Sequence, residues 1–498
     1  MASVMTRQLA DLAEATPQKR DRYVDLLRAL SIAVVVFGHW LMAIVYMDGG
    51  RITGTSALDE VSGIWALTWV LQVMPLFFMV GGFSNLVSWR AAETRGDGYG
   101  AFVRGRIERL MRPTAVFVGV WLATSFVLDS VFGVGASIVH ATGLLAKPVW
   151  FLAVYVLVVA LAPMMVKLHE RFRLRVLVVL AGAAVVVDIV RIGAGLELVG
   201  YLNFAFVWLF VHQVGFFYAD GTLTAKSRKF HGAVAGAGIV ALTVLTNIGV
   251  YSRAMVGTKS HLASNNDPPS ICLIALTMFL LGAVMLARPA ATRFLEGRTA
   301  WTAVIAANSM IMTVFLWHLT AMLVAVAIMY PLGFPQPVGG TVDWWATRPL
   351  WLAMLTVSLV PFVVVFGRFE RPRAQRDEAP VGPAASVAAI ALLVVGMGGF
   401  AEGGFADVFS PVGVELGIFT VNPLLSGLHM AVGLVVFKRP ALQPVAALVL
   451  MALVALEVVA GNGTPFPATA PNLTFHAACA TALFLRPSTR RRSLDGTR

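Results

Sequence analysis

Apolar residues follow one another along this chain in runs of roughly 18–22, separated by short polar segments. The runs fall at about 26–46, 63–84, 114–132, 149–166, 175–190, 201–219, 232–250, 270–287, 302–326, 349–367, 384–400, 422–437, 441–460 and 472–485. An α-helix rises about 1.5 Å per residue, so about 20 residues cross the roughly 30 Å of hydrocarbon in a bilayer. The pattern therefore predicts an all-α integral membrane protein with about fourteen spanning helices. The run from 63 is the least regular, because Gln72 and Pro75 interrupt it.

The polar segments carry a second pattern. Basic residues gather in every second loop: Lys19, Arg20 and Arg22; Arg104 to Arg112; Lys167 to Arg175; Lys226 to Lys229; Arg288 to Arg298; Arg368 to Arg376; Lys438 and Arg439; Arg490 to Arg492. The intervening loops hold about six Lys or Arg, and some are acidic, with Asp48, Asp59 and Glu60 in one and Glu402, Asp407 and Glu415 in another. Positive charge stays on the cytoplasmic side. The alternation predicts a multi-pass plasma-membrane protein with both termini in the cytoplasm. The charged, Pro-bearing stretch RPRAQRDEAPVGP at 371–383 suits a linker. The expected organisation is an N-terminal cytoplasmic segment (1–22), a ten-helix unit (23–372), a linker (373–383), a four-helix unit (384–486) and a basic tail (487–498).

Composition agrees. Of 498 residues, 58% are hydrophobic and only 13% charged, against about a quarter charged in soluble domains. The net charge of +12 would suggest nucleic acid in a soluble protein. Here the charge sits in loops, and no basic stripe with interleaved aromatics accompanies it, so no nucleic-acid partner is expected. Cys272 and Cys479 lie far apart inside apolar runs, which gives neither a disulfide framework nor a zinc spacing. The polar start of the chain does not resemble a cleavable signal peptide.

Ionisable groups inside apolar runs are energetically costly and point to function. In the first run, RYVDLLRALSIAVVVFGHWL, Arg28 and His39 are eleven positions apart. Eleven steps of about 100° end roughly 20° from full turns, so both lie on one helix stripe, about 16 Å apart in height. Asp25 lies three residues before Arg28. Histidine moves protons near neutral pH, and arginine grips phosphate with a bidentate fork. The bland alternatives are an Arg28 paired with Asp25 at the interface and a His39 that serves packing. In RGRIERLMRP, Arg106, Arg109 and Arg112 recur every third residue and would form a basic ridge on a helix. That ridge fits a polyphosphate, or else topology and anionic lipid. In QVMPLFFMVGGFSN, Pro75 and the pair Gly81–Gly82 mark either a broken span lining a cavity or a close helix crossing. His318, towards the outer end of its run, either faces the same cavity as His39 or lies beside an interface anchor, Trp317. Trp150, Phe151 and Tyr155 suit an aromatic belt. Asp188 and Arg191 are spaced to neutralise each other, and His212 and Gln213 are further polar groups in a span. Asn472 and His476 share a face and suit helix–helix hydrogen bonding.

Taken in order, these stretches resemble acyltransferase family 3, the integral membrane O-acyltransferases of bacterial cell envelopes and natural products. The Arg28-to-His39 spacing is similar to that family's Arg–x10–His motif. PLFFMVGGFSN resembles its "FF-x-x-SGF" element, and the Arg106/Arg109 and Arg109/Arg112 pairs resemble its basic pair. WFLAVY and FLWH resemble its "WFL" and "YLWH" elements. Gly81 stands where many members have serine, and the proline register after the arginines is shifted. The resemblance implies an acyl-CoA donor as substrate, with no bound cofactor or metal. It implies a glycan, lipid or related hydroxyl acceptor, with His39 and Arg28 catalytic. Arg106, Arg109 and Arg112 would hold the donor's phosphates, and His318 would line the acceptor side. The last four runs lie outside the usual ten-helix unit and resemble a small four-helix bacterial membrane domain. From the residues alone, a transporter or flippase without covalent chemistry remains the alternative, although the matched inverted halves of many transporters are absent from this sequence.

Overall fold

The computed structural model describes residues 20–48, 51–133, 143–257, 262–335, 337–371, 381–410, 412–460 and 464–485. The expected N-terminal segment up to 19, residues 372–380 with most of the expected linker (373–383), and the tail beyond 485 lie outside the described residues. The protein is an all-α integral membrane protein. Its helices are α1 (Arg22–Met42), α2 (Met74–Arg95), α3 (Tyr99–Phe132), α4 (Pro148–Phe172), α5 (Leu174–Ala194) and α6 (Asn203–Ala219). They continue as α7 (Arg228–Asn247), α8 (Ile271–Phe294), α9 (Arg298–Ser309), α10 (Ile311–Met329) and α11 (Val342–Phe366). The last four are α12 (Pro383–Gly403), α13 (Pro423–Lys438), α14 (Gln443–Ala460) and α15 (Ala470–Phe484). Among the described residues, twelve helical segments are long and apolar enough to cross a membrane. Two of the fourteen expected spans are shorter: α13 has 16 residues and α15 has 15.

Several boundaries depart from the sequence pattern for identifiable reasons. The first helix ends at Met42, and the chain turns into an antiparallel hairpin, β1 (Ala43–Asp48) with β2 (Arg51–Ser56). The expected run extended to 46 because Ala43–Tyr46 is apolar, yet β-branched and aromatic residues suit a strand equally. A second small hairpin, β3 (Val414–Leu416) with β4 (Phe419–Val421), precedes α13. The expected run 302–326 is two helices that part at Met310 (φ −131°). Asn308 and Ser309 turn their side chains onto the carbonyls of Val304 and Ala306, the local competition that weakens a helix end. Pro75 lies in the first turn of α2, a position proline tolerates. The irregularity sits one step earlier at Gln72, whose amide donates to the Met255 carbonyl and to Asn266 Oδ1. Pro113 lies inside α3, so the arginine segment and the third span form one continuous helix of 34 residues.

The chain divides into two compact units. The first comprises residues 1–91, 112–117 and 157–372. Within it, α2 and α6 cross at Gly82 and Gly215: a methyl at Gly82 would collide with the His212 carbonyl, and one at Gly215 with that of Met79. Gly82 therefore serves a close helix crossing. Asp188 and Arg191 interact through their charges, as their spacing suggests, but each makes its hydrogen bonds elsewhere. Asp188 accepts from Asn203 Nδ2 (2.9 Å), Tyr251 Oη (3.0 Å) and the Ile271 amide (2.9 Å), and Arg191 donates to the Pro268 carbonyl. His212 bonds Asn85, and Gln213 donates to His169 Nδ1. Nε2 of His169 lies 3.1 Å from Asp220 Oδ2, which also accepts from Arg173.

The second unit comprises residues 92–111, 118–156 and 373–498. Here α12 and α13 approach closely at Gly396 and Gly433, each of which lies against backbone of the other helix. Asn472 donates to the carbonyls of Thr420 and Pro467, so it ties α15 to the hairpin rather than to a helix. His476 does link helices, reaching His429 on α13 and Glu457 on α14. Phe151 is fully buried, which removes it from an interfacial belt.

Candidate active site

The best-organised polar site of the first unit is built on α1 and α10. Asp21 caps α1, its side chain accepting from the amides of Tyr23 and Val24. This fixes the helix start, and the eleven residues from Arg28 to His39 then carry both side chains along one stripe. Arg28 lies 3.7 Å from Asp25 Oδ1 and donates to Ser84 Oγ at 2.9 Å. Asp25 is shared with Arg20, whose Nε lies 2.6 Å from Oδ2. The pairing with Asp25 is thus real, and the Ser84 bond adds a contact to α2 that the spacing did not reveal. Ser84 lies three residues after Gly81, where the family pattern often has its hydroxyl.

At the far end of α1, His39 Nδ1 lies 2.8 Å from Nε2 of His318 on α10, and the two rings stack with centroids 5.1 Å apart. Nδ1 of His318 lies 2.6 Å from the Phe315 carbonyl. These two contacts fix the protons. A carbonyl only accepts, so His318 Nδ1 carries hydrogen. Neutral His318 then has its lone pair on Nε2, and His39 Nδ1 must donate to it. The remaining nitrogen of His39, Nε2, is left with a lone pair. His318 is completely buried, while His39 is exposed. The pair is therefore an accessible base backed by a buried, oriented acceptor.

Tryptophans hold this pair in place. Trp40 Nε1 donates to the His318 carbonyl at 3.0 Å, and Trp351 Nε1 on α11 donates to the Trp40 carbonyl at 2.8 Å. Trp317 is not an interface anchor: it is buried and stacks on Phe366 at 3.9 Å. Glu370 caps α10, accepting from the amides of Met312 and Thr313 and from the Thr313 hydroxyl, each at 2.9 Å. Burial pushes its carboxyl above the usual carboxylate range, against those three donors. Arg348 on α11 lies over Trp344 and Trp351 and donates to the Ala43 carbonyl at the end of α1.

Arg106, Arg109 and Arg112 do recur along α3. Arg106 and Arg109 belong to the second unit, and Arg109 is exposed. Arg112 belongs to the first unit, donates to the Arg371 carbonyl and faces the Phe369 ring. The structure thus brings His39 together with His318, and Arg28 with Asp25 and Ser84. The positioning roles of Trp40, Trp351, Ser84 and Glu370 were not visible in the sequence. They depend on contacts up to 311 positions apart, and the one local clue was the Asn308–Ser309 break just before α10.

Residues 21–368 match the family model described as an acyltransferase domain. The chain belongs to acyltransferase family 3. The match includes both histidines, Arg28 and the three arginines of α3, and it ends before α12. No curated protein and no solved structure matches the chain. Membership makes the protein a membrane acyltransferase, and it removes the reading as a transporter without covalent chemistry.

Proposed function

We propose that this acyltransferase moves an acyl group from acyl-CoA to a hydroxyl of a cell-envelope glycan, lipid or related acceptor. The observation that carries the reading is the proton arrangement of the histidine pair, which leaves a lone pair on Nε2 of the exposed His39. In this reaction Nε2 takes the acceptor hydroxyl's proton as its oxygen attacks the thioester carbonyl. The carbon–sulfur bond breaks, and the imidazolium returns the proton to the departing thiolate. His318 is a positioning residue: it fixes the His39 tautomer and accepts from Nδ1 throughout, steadying the positive charge on His39. General-base assistance of this kind contributes about 10²–10⁴ in rate.

Arg28 lies at the opposite end of α1, about 16 Å below His39 by helical rise. Its guanidinium suits the donor's phosphates, as do those of Arg106, Arg109 and Arg112. The alternating basic loops support a plasma-membrane orientation in which these arginines face the cytoplasm, where acyl-CoA is made, and both termini are cytoplasmic. The test is to supply labelled acetyl-CoA to membranes containing the protein and follow the label. Base-labile ester on an envelope fraction is expected, and label confined to hydrolysed acetate would contradict transfer to a hydroxyl.

A further inference from the structure

The second unit contains three ionisable side chains that the acyl-transfer reaction does not use. His429 on α13, Glu457 on α14 and His476 on α15 are each at most 2% exposed. Nε2 of His429 lies 2.7 Å from Nε2 of His476, and Nδ1 of His476 lies 3.3 Å from Glu457 Oε2. The two ends of this chain, His429 Nδ1 and Glu457 Oε1, are buried without a hydrogen-bond partner among the described residues.

Counting protons shows what the arrangement needs. If Glu457 is ionised, its Oε2 accepts from His476 Nδ1–H. His476 Nε2 then accepts from His429 Nε2–H, and His429 Nδ1 keeps a lone pair. Both rings are neutral, and the group carries one buried negative charge, which is strongly unfavourable without a partner. Among the described residues, the neighbouring elements offer none nearby. The ionisable residues of α12 reduce to Glu402 at its end, those of α14 to Glu457, and those of α15 to His476 and Cys479. On α13 the only cation besides His429 is Lys438, nine positions away at the opposite end, and the hairpin contributes Glu415, which accepts from Thr420. α3 meets α13 where Gly427 packs on Leu122. Its nearest arginine along the helix, Arg112, is ten residues and so about 15 Å lower, and Asp129 is acidic. One added proton is therefore what makes the group neutral.

We propose that His429, His476 and Glu457 form a proton-binding relay that holds one proton beyond those of two neutral imidazoles. A proton arriving at His429 Nδ1 forms an N–H bond there. The His429 Nε2–H proton passes to His476 Nε2, and the His476 Nδ1–H proton passes to Glu457 Oε2. Both hydrogen bonds persist with donor and acceptor exchanged, the property that lets a chain conduct a proton. A metal suits the geometry poorly. Two nitrogens on one tetrahedral zinc at about 2.0–2.1 Å stand roughly 3.3 Å apart, wider than the 2.7 Å found here.

Full-length protein in nanodiscs, labelled with ¹⁵N-histidine and ¹³C-glutamate, tests this by NMR at neutral pH. Signals are assigned by loss in His429→Asn and Glu457→Gln. Three protons shared over the two rings and the carboxyl are expected, with one lost in each variant. His429→Asn keeps the His476–Glu457 pair and serves if Glu457→Gln does not fold. Two protons in the wild type, with an ionised Glu457 beside neutral rings, would overturn the proposal. So would zinc uptake by the purified protein that disappears in His429→Asn.

Discussion

In the proposed reaction, His39 and His318 divide one task between two environments. Burial and the Phe315 carbonyl lock the tautomer of His318, and exposure leaves His39 able to meet a substrate. Replacing His318 by Gln retains an acceptor for His39 Nδ1–H but loses the imidazole, so kcat should fall about tenfold to a hundredfold, less than the 10²–10⁴ assigned to the base. KM for acyl-CoA should stay nearly constant. A large rise in KM with unchanged kcat would instead place His318 in donor binding. The stripe that carries Arg28 and His39 was legible from spacing alone, because helical period is local information. The partner of His39 was not, since His318 lies 279 positions away, and only the stacking of α10 on α1 joins them.

Helices meet in this fold where glycine permits it and are pinned where a carboxylate gathers donors. Gly82→Ala forces a methyl into the His212 carbonyl of α6. Overpacking of this sort typically removes about 1–3 kcal/mol, visible as a lower detergent melting temperature. Asp220, at the end of α6, holds His169 and Arg173 across the interhelical turn. Burial alone would raise its carboxyl, but Thr222, His169 and Arg173 outweigh that and hold it below the usual range. A lowered pKa means the stabilisation is present above the unfolded value, about 3.9, and fades as pH falls through the folded one. Asp220→Asn should therefore lower the melting temperature at neutral pH and flatten its fall on the acid side. An unchanged acid limb would remove Asp220 from that role. Apolar runs announced most helices, whereas the break at Met310 and the hairpin after α1 arise from side-chain competition and strand pairing, which hydropathy does not register.

At the scale of the whole molecule, the chain joins an acyltransferase domain, residues 21–368, to four further helices that carry their own buried polar chain. Donor charge and acceptor chemistry should separate experimentally. Removing charge at Arg106 and Arg109 together is expected to weaken acyl-CoA binding about tenfold or more, as befits lost charge-assisted bonds, with acceptor binding little changed. Equal loss on both would assign those arginines to folding or topology. Most of the spanning helices were readable because a bilayer imposes a length rule on sequence. The division of α3 between two compact units was not, because a continuous helix carries no mark of where its neighbours change. The most direct test of the account is turnover of labelled acetyl-CoA by purified wild type beside His39→Ala, with melting curves to show that both are folded. Loss of at least 10² in transfer by a folded variant is the expected result, and near-normal turnover would remove His39 from the chemistry.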